Sequence, residues 1–290
     1  MLDLSHIPNS QQDIQIFQAN GSAWQTWRKP KKCNYVYIMC IGGGGGGAGG
    51  FNSTSTVYAS GGAGGAVSRA LYNAQQLSDI LYVQVGLGGG GGAAQTAGSA
   101  GTRSFVALQP VIGPQNLITI SGNAGAAGGR VDGANAAGET VSTQATATFY
   151  TLSNFISSVG NTSVGSVSLS TPPNITPLNS QITSQGAGGG GGPSVNGGSI
   201  LATSISPLIE GGAFTTVNSA IGGRGADGIT SFKPFYSLGG AGGGNSSGTS
   251  GIGGNGGNGG IGCGGGGGGN GTTGGTGGRG GDGLVIIISF

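Results

Sequence analysis

Between residues 251 and 283 glycine returns at every third position without a miss. Counting from Gly253, the frame reads Gly253, Gly256, Gly259, Gly262, Gly265, Gly268, Gly271, Gly274, Gly277, Gly280 and Gly283. A second frame, starting at Gly251, is broken only by Cys263 and Thr272. The third frame holds nearly all the side chains: Ile252, Asn255, Asn258, Ile261, Asn270, Thr273, Thr276, Arg279 and Asp282. A flexible linker has no reason to sort its residues this way. A helix with three residues per turn does, and polyproline II is such a helix, rising ~3.1 Å per residue without internal hydrogen bonds. Two of its faces are bare here, so neighbouring helices can approach to backbone contact. Every N–H and C=O must then find a partner sideways, and Cα–H···O contacts add to the attraction. The spacing predicts a stack of such helices, none of which would be stable alone.

Composition sharpens the reading. The chain has 72 glycines and 10 prolines among 290 residues, a content usually read as low complexity. Disorder, however, goes with high net charge and few β-branched or aromatic residues, whereas the formal charge is +2 and dense apolar runs are present. Ten prolines are too few for collagen. Ordering glycine costs roughly 0.5–1 kcal/mol more per residue than ordering alanine, so an apolar base must support the stack.

That base is visible as short β-type runs set against glycine runs. Residues 34–41 (NYVYIMCI), 80–85 (ILYVQV) and 117–121 (LITIS) each lead into glycines, and 280–283 lead into 284–290 (LVIIISF). They are rich in Val, Ile and Tyr, as strands require. The last run is apolar without alternation, which predicts cover on both faces and a C-terminus tied into a sheet. Residues 140–185 are Ser/Thr-rich and read as an exposed β-rich excursion or a set of long loops. Phe149, Tyr150 and Phe155 there, with Phe214, Phe232, Phe235 and Tyr236, are the candidate receptor or partner contacts, or else local core. One helix is expected, around residues 70–80 (ALYNAQQLSDI). The predicted fold is mainly β with little α, short strands feeding a stack of glycine-rich polyproline-II helices. Residues 33–290 form that domain. Residues 1–32 form an N-terminal segment whose Trp24, Trp27, Arg28 and Lys29 either dock onto a larger particle or, for the tryptophans, cap the sheet.

Chemistry is sparse. His6 is the single histidine, the eight carboxylates are scattered, and Cys33, Cys40 and Cys263 lack C-x-x-C spacing. No catalytic residue, cofactor or metal is expected. The start has no secretory pattern, and no apolar stretch approaches the ~20 residues of a membrane span, so synthesis in a cytoplasm without membrane insertion is expected. The basic run at residues 28–32 reads as a solvated turn; nucleic-acid binding would need a wider basic face.

Trp27-Arg28-Lys29-Pro30, then a strand, then CIGGGGGGAGG, resembles the start of the glycine-rich domain of bacteriophage virion and tail-fibre proteins. LYVQVGLGGGGG and GGTGGRGGDGLVIIISF are similar to that family's middle and end. The likeness runs in outline from Trp24 to Phe290, without the Ser/Thr-rich middle. It implies a virion surface protein that contacts other capsid or tail proteins, is oligomeric in the particle, and touches a host cell-surface receptor. Relatives of this kind include the adhesins at the tips of T-even-type tail fibres, whose loops bind receptors at the end of a polyglycine-helix stack. The N-terminal segment departs from their attachment domain. A fibre, spike or tip adhesin therefore stands beside a head-fibre, capsid-decoration or cement role. An ice-binding role fits less well, because the side-chain frame is mixed rather than a regular Thr array.

Overall fold

The computed structural model describes residues 13–52, 57–113, 117–120, 124–132, 156–158, 174–177, 182–192 and 194–290. Its base is a pair of antiparallel sheets. The first holds five strands: β1 (Asp13–Gln18), β3 (Tyr35–Ile41), β5 (Val67–Asn73), β10 (Ile156–Ser158) and β13 (Leu284–Ser289), in the order β1-β13-β3-β5-β10. The second runs β2 (Gln25–Arg28), β6 (Ile80–Gln84), β7 (Phe105–Ala107) and β8 (Leu117–Ile120), neighbours in that order. Two small pairs complete the set: β4 (Val57–Ala59) with β9 (Arg130–Asp132), and β11 (Thr230–Phe232) with β12 (Phe235–Ser237).

Side chains alternate across a strand, and each sheet turns one set towards the other. Val36, Ile38 and Cys40 of β3, Ala70 and Tyr72 of β5, and Val285 and Ile287 of β13 meet Trp27, Leu81, Val83, Val106 and Ile118 of the second sheet. The Tyr72 hydroxyl reaches across and donates to the Ile118 carbonyl at 2.8 Å. On its outer face the first sheet has a second core of Met39, Ile41, Val67, Leu284, Ile286 and Ile288. Ile182, Phe235 and Ile261 pack over it. The continuous apolar run of β13 is thus covered on both sides, and its last residue is pinned, Asn34 and Tyr35 both donating to the Phe290 carbonyl.

The helix expected at residues 70–80 is absent. The first part is β5, with alternating burial and register Tyr35↔Asn73 through Ile41↔Val67 against β3. Only Ala74–Gln76 coils, as one 3-10 turn capped by Asn73 accepting from the Gln75 N–H. Helix-favouring Ala, Leu and Gln yield here to a strand partner already in place.

From the sheets the chain runs directly into glycine helices. In residues 42–50 every third N–H addresses the same neighbour. Gly42, Gly45 and Ala48 donate to Ala66, Ala63 and Ser60; Gly43, Gly46 and Gly49 to Thr102, Ser99 and Thr96; Gly44, Gly47 and Gly50 to Gly281, Gly278 and Gly275. Its carbonyls accept from three further helices, through Gly89 and Gly92, Gly125 and Gly128, and Gly265 and Gly268. The numbers of the first three partners fall as those of residues 42–50 rise, so they run antiparallel; those of the donors rise, so they run parallel. A helix with three residues per turn and six hydrogen-bonded neighbours is a hexagonal lattice site. Residues 263–270 and 239–246 occupy two more such sites, each donating to three helices and accepting from three.

Glycine is required here for spacing rather than for its backbone range. A Cβ on Gly44, Gly45 or Gly46 would lie 1.9, 1.9 or 2.0 Å from a neighbouring carbonyl oxygen. Alanine is the side chain the interior admits between helix ends, as at Ala48, Ala63, Ala187 and Ala241, all fully buried. Positive φ is needed at Gly262 (φ +66°), where the chain reverses between two lattice helices. A net ~0.5–1.5 kcal/mol per hydrogen bond roughly offsets glycine's extra ordering cost. The two apolar cores supply what the stack does not.

Candidate functional site

Helix directions sort the loops into two groups. Helices 42–50, 239–246 and 263–270 leave the sheet end, whereas 251–260 and 274–283 return to it. The connections around residues 51–52, 215–221, 246–251 and 271–273 therefore gather at the end away from the sandwich. Side-chain bonds hold them: Asn218 Oδ1 accepts from the Thr249 N–H at 2.9 Å, Ser246 Oγ donates to the Ala220 carbonyl at 3.0 Å, and Asn52 Oδ1 accepts from the Gly274 N–H at 2.8 Å. Bridges join Thr215 to Ser246 and run Ile221–Ile252–Thr273. On this braced surface Phe214 (40% exposed), Val217 (64%), Ile221 (66%) and Ile252 (40%) present apolar side chains to solvent.

A side-chain array runs from this tip back towards the sheets along helices 222–228, 251–260 and 274–283. The third-frame residues Ile252, Asn255, Asn258, Thr273, Thr276 and Arg279 are exposed, as their spacing predicts. Between Ile261 and Asn270 the same frame is Gly264 and Gly267, because that helix is enclosed on every side. The asparagines have a specific task. An N–H on the exposed frame has no further helix to reach, and the Asn or Asp of the adjoining helix accepts it instead. Asp227 takes the Asn258 N–H (2.6 Å), Asn255 the Thr276 N–H (2.9 Å), Asn258 the Arg279 N–H (3.0 Å) and Asp282 the Gly88 N–H (2.8 Å). Replacing Asn255 by Ala is expected to cost about 1 kcal/mol, the net worth of one such bond, read as a shift in the denaturation midpoint. Arg224 pairs with Asp227 at 2.5 Å and Arg279 with Asp282, each three residues on and so on the same face. Exposed pairs of this kind contribute little to stability.

The sequence candidates are dispersed. Phe214 is at the braced tip, its N–H held by Asn196 Oδ1 at 2.9 Å. Phe232, Phe235 and Tyr236 sit at the opposite end in the β11–β12 hairpin. There Phe235 packs on the outer-face core and against Phe232 with ring centroids 5.5 Å apart, and Tyr236 packs on a third cluster that includes Ile200 and Leu238. Phe149, Tyr150 and Phe155 lie outside the described residues, as does most of the Ser/Thr-rich stretch. Trp27 is fully buried between the sheets, so of the two roles considered for it the structural one applies. Lys29 also turns inward, donating to the Ala74 and Leu77 carbonyls at 3.1 and 2.8 Å and pairing with Asp79 at 2.9 Å. Trp24 is half-buried and Arg28 exposed. Residues 13–32 supply β1 and β2 to the two sheets. Val217 and Ile221, the most exposed of these four apolar tip residues, are not legible from spacing.

All three cysteines are free. Burial pushes the Cys40 thiol far up, and burial also raises Cys263 to about 11 against hydrogen bonds from Ser237 and Ser184 that lower it. Because the thiolate is the reactive form, a disulfide reagent at pH 8 is expected to label Cys33 in the native protein and the other two only on unfolding. Fast labelling of all three would contradict the enclosed core.

The architecture defines a class: an antiparallel β-sandwich from which hydrogen-bonded glycine helices project. The glycine-rich domain family matches residues 18–289, and the chain belongs to that family. No curated protein matches it at a significant level.

Proposed function

We propose that this chain is a structural protein of a bacteriophage particle, exposed on its surface as a fibre, spike or tip component, and that it contributes to attachment to the host receptor. The observation that carries the reading is the braced tip. A rigid scaffold holds Phe214, Val217, Ile221 and Ile252 exposed at the end farthest from the sandwich. Preformed loops lose little freedom on binding, which is the condition for useful affinity from a small surface. The phage assignment itself rests on the sequence resemblance. No catalytic step is proposed.

Particles carrying Val217→Ser with Ile221→Ser are expected to assemble in normal numbers and to adsorb at least about tenfold more slowly, as the loss of two exposed apolar contacts implies. Normal adsorption by such particles would remove the tip from the attachment site. Gold-labelled antibody on intact particles, imaged by electron microscopy, tests surface location independently.

A decoration or cement role is favoured by a different observation. Among the described residues β1 is an edge strand, and its Ile14 (44% exposed) and Ile16 (49%) extend the outer-face core beyond the part covered by the hairpin. An unpaired edge of this kind pairs readily with another chain. Loss of the protein from particles on Ile16→Lys, with tip variants retained, would select this role.

A further inference from the structure

We propose that the cleft between the end of β1 and the exposed side of helices 251–260 and 274–283 binds a neutral saccharide. The cleft encloses about 430 Å³ and is walled by Gln18 and Ala19 on one side, by Asn258 and Ile261 on another, and by the chain from Arg279 to Leu284. That volume falls within the range of small-ligand sites. It stands at the sandwich end of the side-chain array, remote from the braced tip, and it does not depend on where the protein works.

The ligand class follows from what the walls leave unused. Asn258 Oδ1 is committed to the Arg279 N–H, which leaves its Nδ2 as a donor with no partner among the described residues. Asp282 Oδ1 accepts from both the Gly88 N–H and Arg279 Nη2, which leaves Oδ2 as an acceptor with no hydrogen-bond partner among the described residues. The Gln18 side-chain amide, one acceptor and two donors, has no partner among the described residues either; the bond from the Gln25 amide goes to the Gln18 backbone carbonyl. Residues that carry unused donors and acceptors thus line one space together. A hydroxyl group offers one donor and two acceptor positions, and adjacent hydroxyls on a ring present both at once.

Charge narrows the class further. Arg279 and Asp282 are the charged groups lining the cleft, and they pair with each other. Neither a phosphate nor an ammonium ligand gains a net counter-charge there. Ile261 and Ala19, both partly exposed, supply apolar surface for the C–H face of a ring. The lattice fixes the register of Asn258 against Arg279 and Asp282, so the polar groups are in place before binding.

The test is calorimetry or saturation-transfer NMR on the full chain. The neutral probes are glucose, galactose, N-acetylglucosamine and lactose; the charged probes are glucuronate, glucosamine and inorganic phosphate. At least one neutral sugar is expected to bind. Asp282→Asn keeps the acceptor for the Gly88 N–H and removes the other carboxylate oxygen; Gln18→Ala removes an exposed amide outside the lattice. Each is expected to weaken binding at least about tenfold, in line with the loss of one good hydrogen bond, with an unchanged thermal midpoint for Gln18→Ala. Val217→Ser, at the other end, leaves sugar binding as it was. Binding by charged probes alone, by no sugar, or with equal strength in both cleft variants overturns the proposal. Failure of the tip variants to slow adsorption leaves it standing, which separates the two readings.

Discussion

Gly45→Ala is expected to abolish soluble folded protein, while Gly129→Ala leaves stability level or slightly raised. The added atom is the same in both. At Gly45 it would lie 1.9 Å from the Ala126 carbonyl oxygen and 3.0 Å from that of Gly125. The helix at residues 42–50 is held on its other sides, so relief means moving a neighbour away. That movement parts the bonds from Gly125 to Gly43 and from Gly128 to Gly46. Overpacking costs about 1–3 kcal/mol, and each buried backbone group left unpaired adds about 1–3 kcal/mol. The sum is a large part of a total stability of about 5–15 kcal/mol. At Gly129 nothing lies within 4 Å and φ is not positive, so alanine fits. Reduced freedom in the unfolded chain then gives a gain of ~0.4–1 kcal/mol. Soluble yield and denaturant unfolding of the pair measure the contrast, and a stable Gly45→Ala protein would refute the hexagonal contact.

Trp27→Ala carries the second largest expected effect, about 3–5 kcal/mol, the usual cost of emptying a buried aromatic site. Trp27 is enclosed by both sheets, whereas Trp24 is half-buried beyond the start of β2. Trp24→Ala is expected to cost less than about 1 kcal/mol, as substitutions near the surface do. Urea unfolding followed by circular dichroism separates the two, because fluorescence would lose one of its own probes. Equal, small losses would return Trp27 to the surface role that its sequence position also suggested.

The two tryptophans mark where sequence reasoning stops. They are three residues apart in an unpatterned stretch, and nothing local says which one a second sheet will cover. The lattice, by contrast, was legible because steric exclusion writes itself into spacing: the frame of Gly253, Gly256 and Gly259 could hold no other residue. Even the enclosed helix has a trace, since the third frame falls silent at Gly264 and Gly267. The role of Asn255 and Asn258 was not legible, because it depends on which helix lies alongside. The residues around Ala70 misled for a related reason. Ala, Leu and Gln favour a helix in isolation, and only the pairing with β3 makes Val67–Asn73 a strand. Of the aromatic candidates Phe214 lies at the braced tip, whereas Phe232, Phe235 and Tyr236, alike in type, lie at the other end of the stack, a separation that residue type does not carry. The cleft is formed by side chains from positions 18, 258 and 282, a distance in sequence that no motif spans.

The mixed direction of the lattice helices has a mechanical consequence. Every bond in the stack lies across the helix axes, and strands at the sandwich end continue the same chains. Traction applied at the tip along those axes does not peel bonds one after another. It shears whole rows together, as a pulled thread is gripped along its length by woven cloth. Force is then shared among parallel and antiparallel neighbours alike, and a thin glycine slab resists pulling that would unzip a hairpin of equal size.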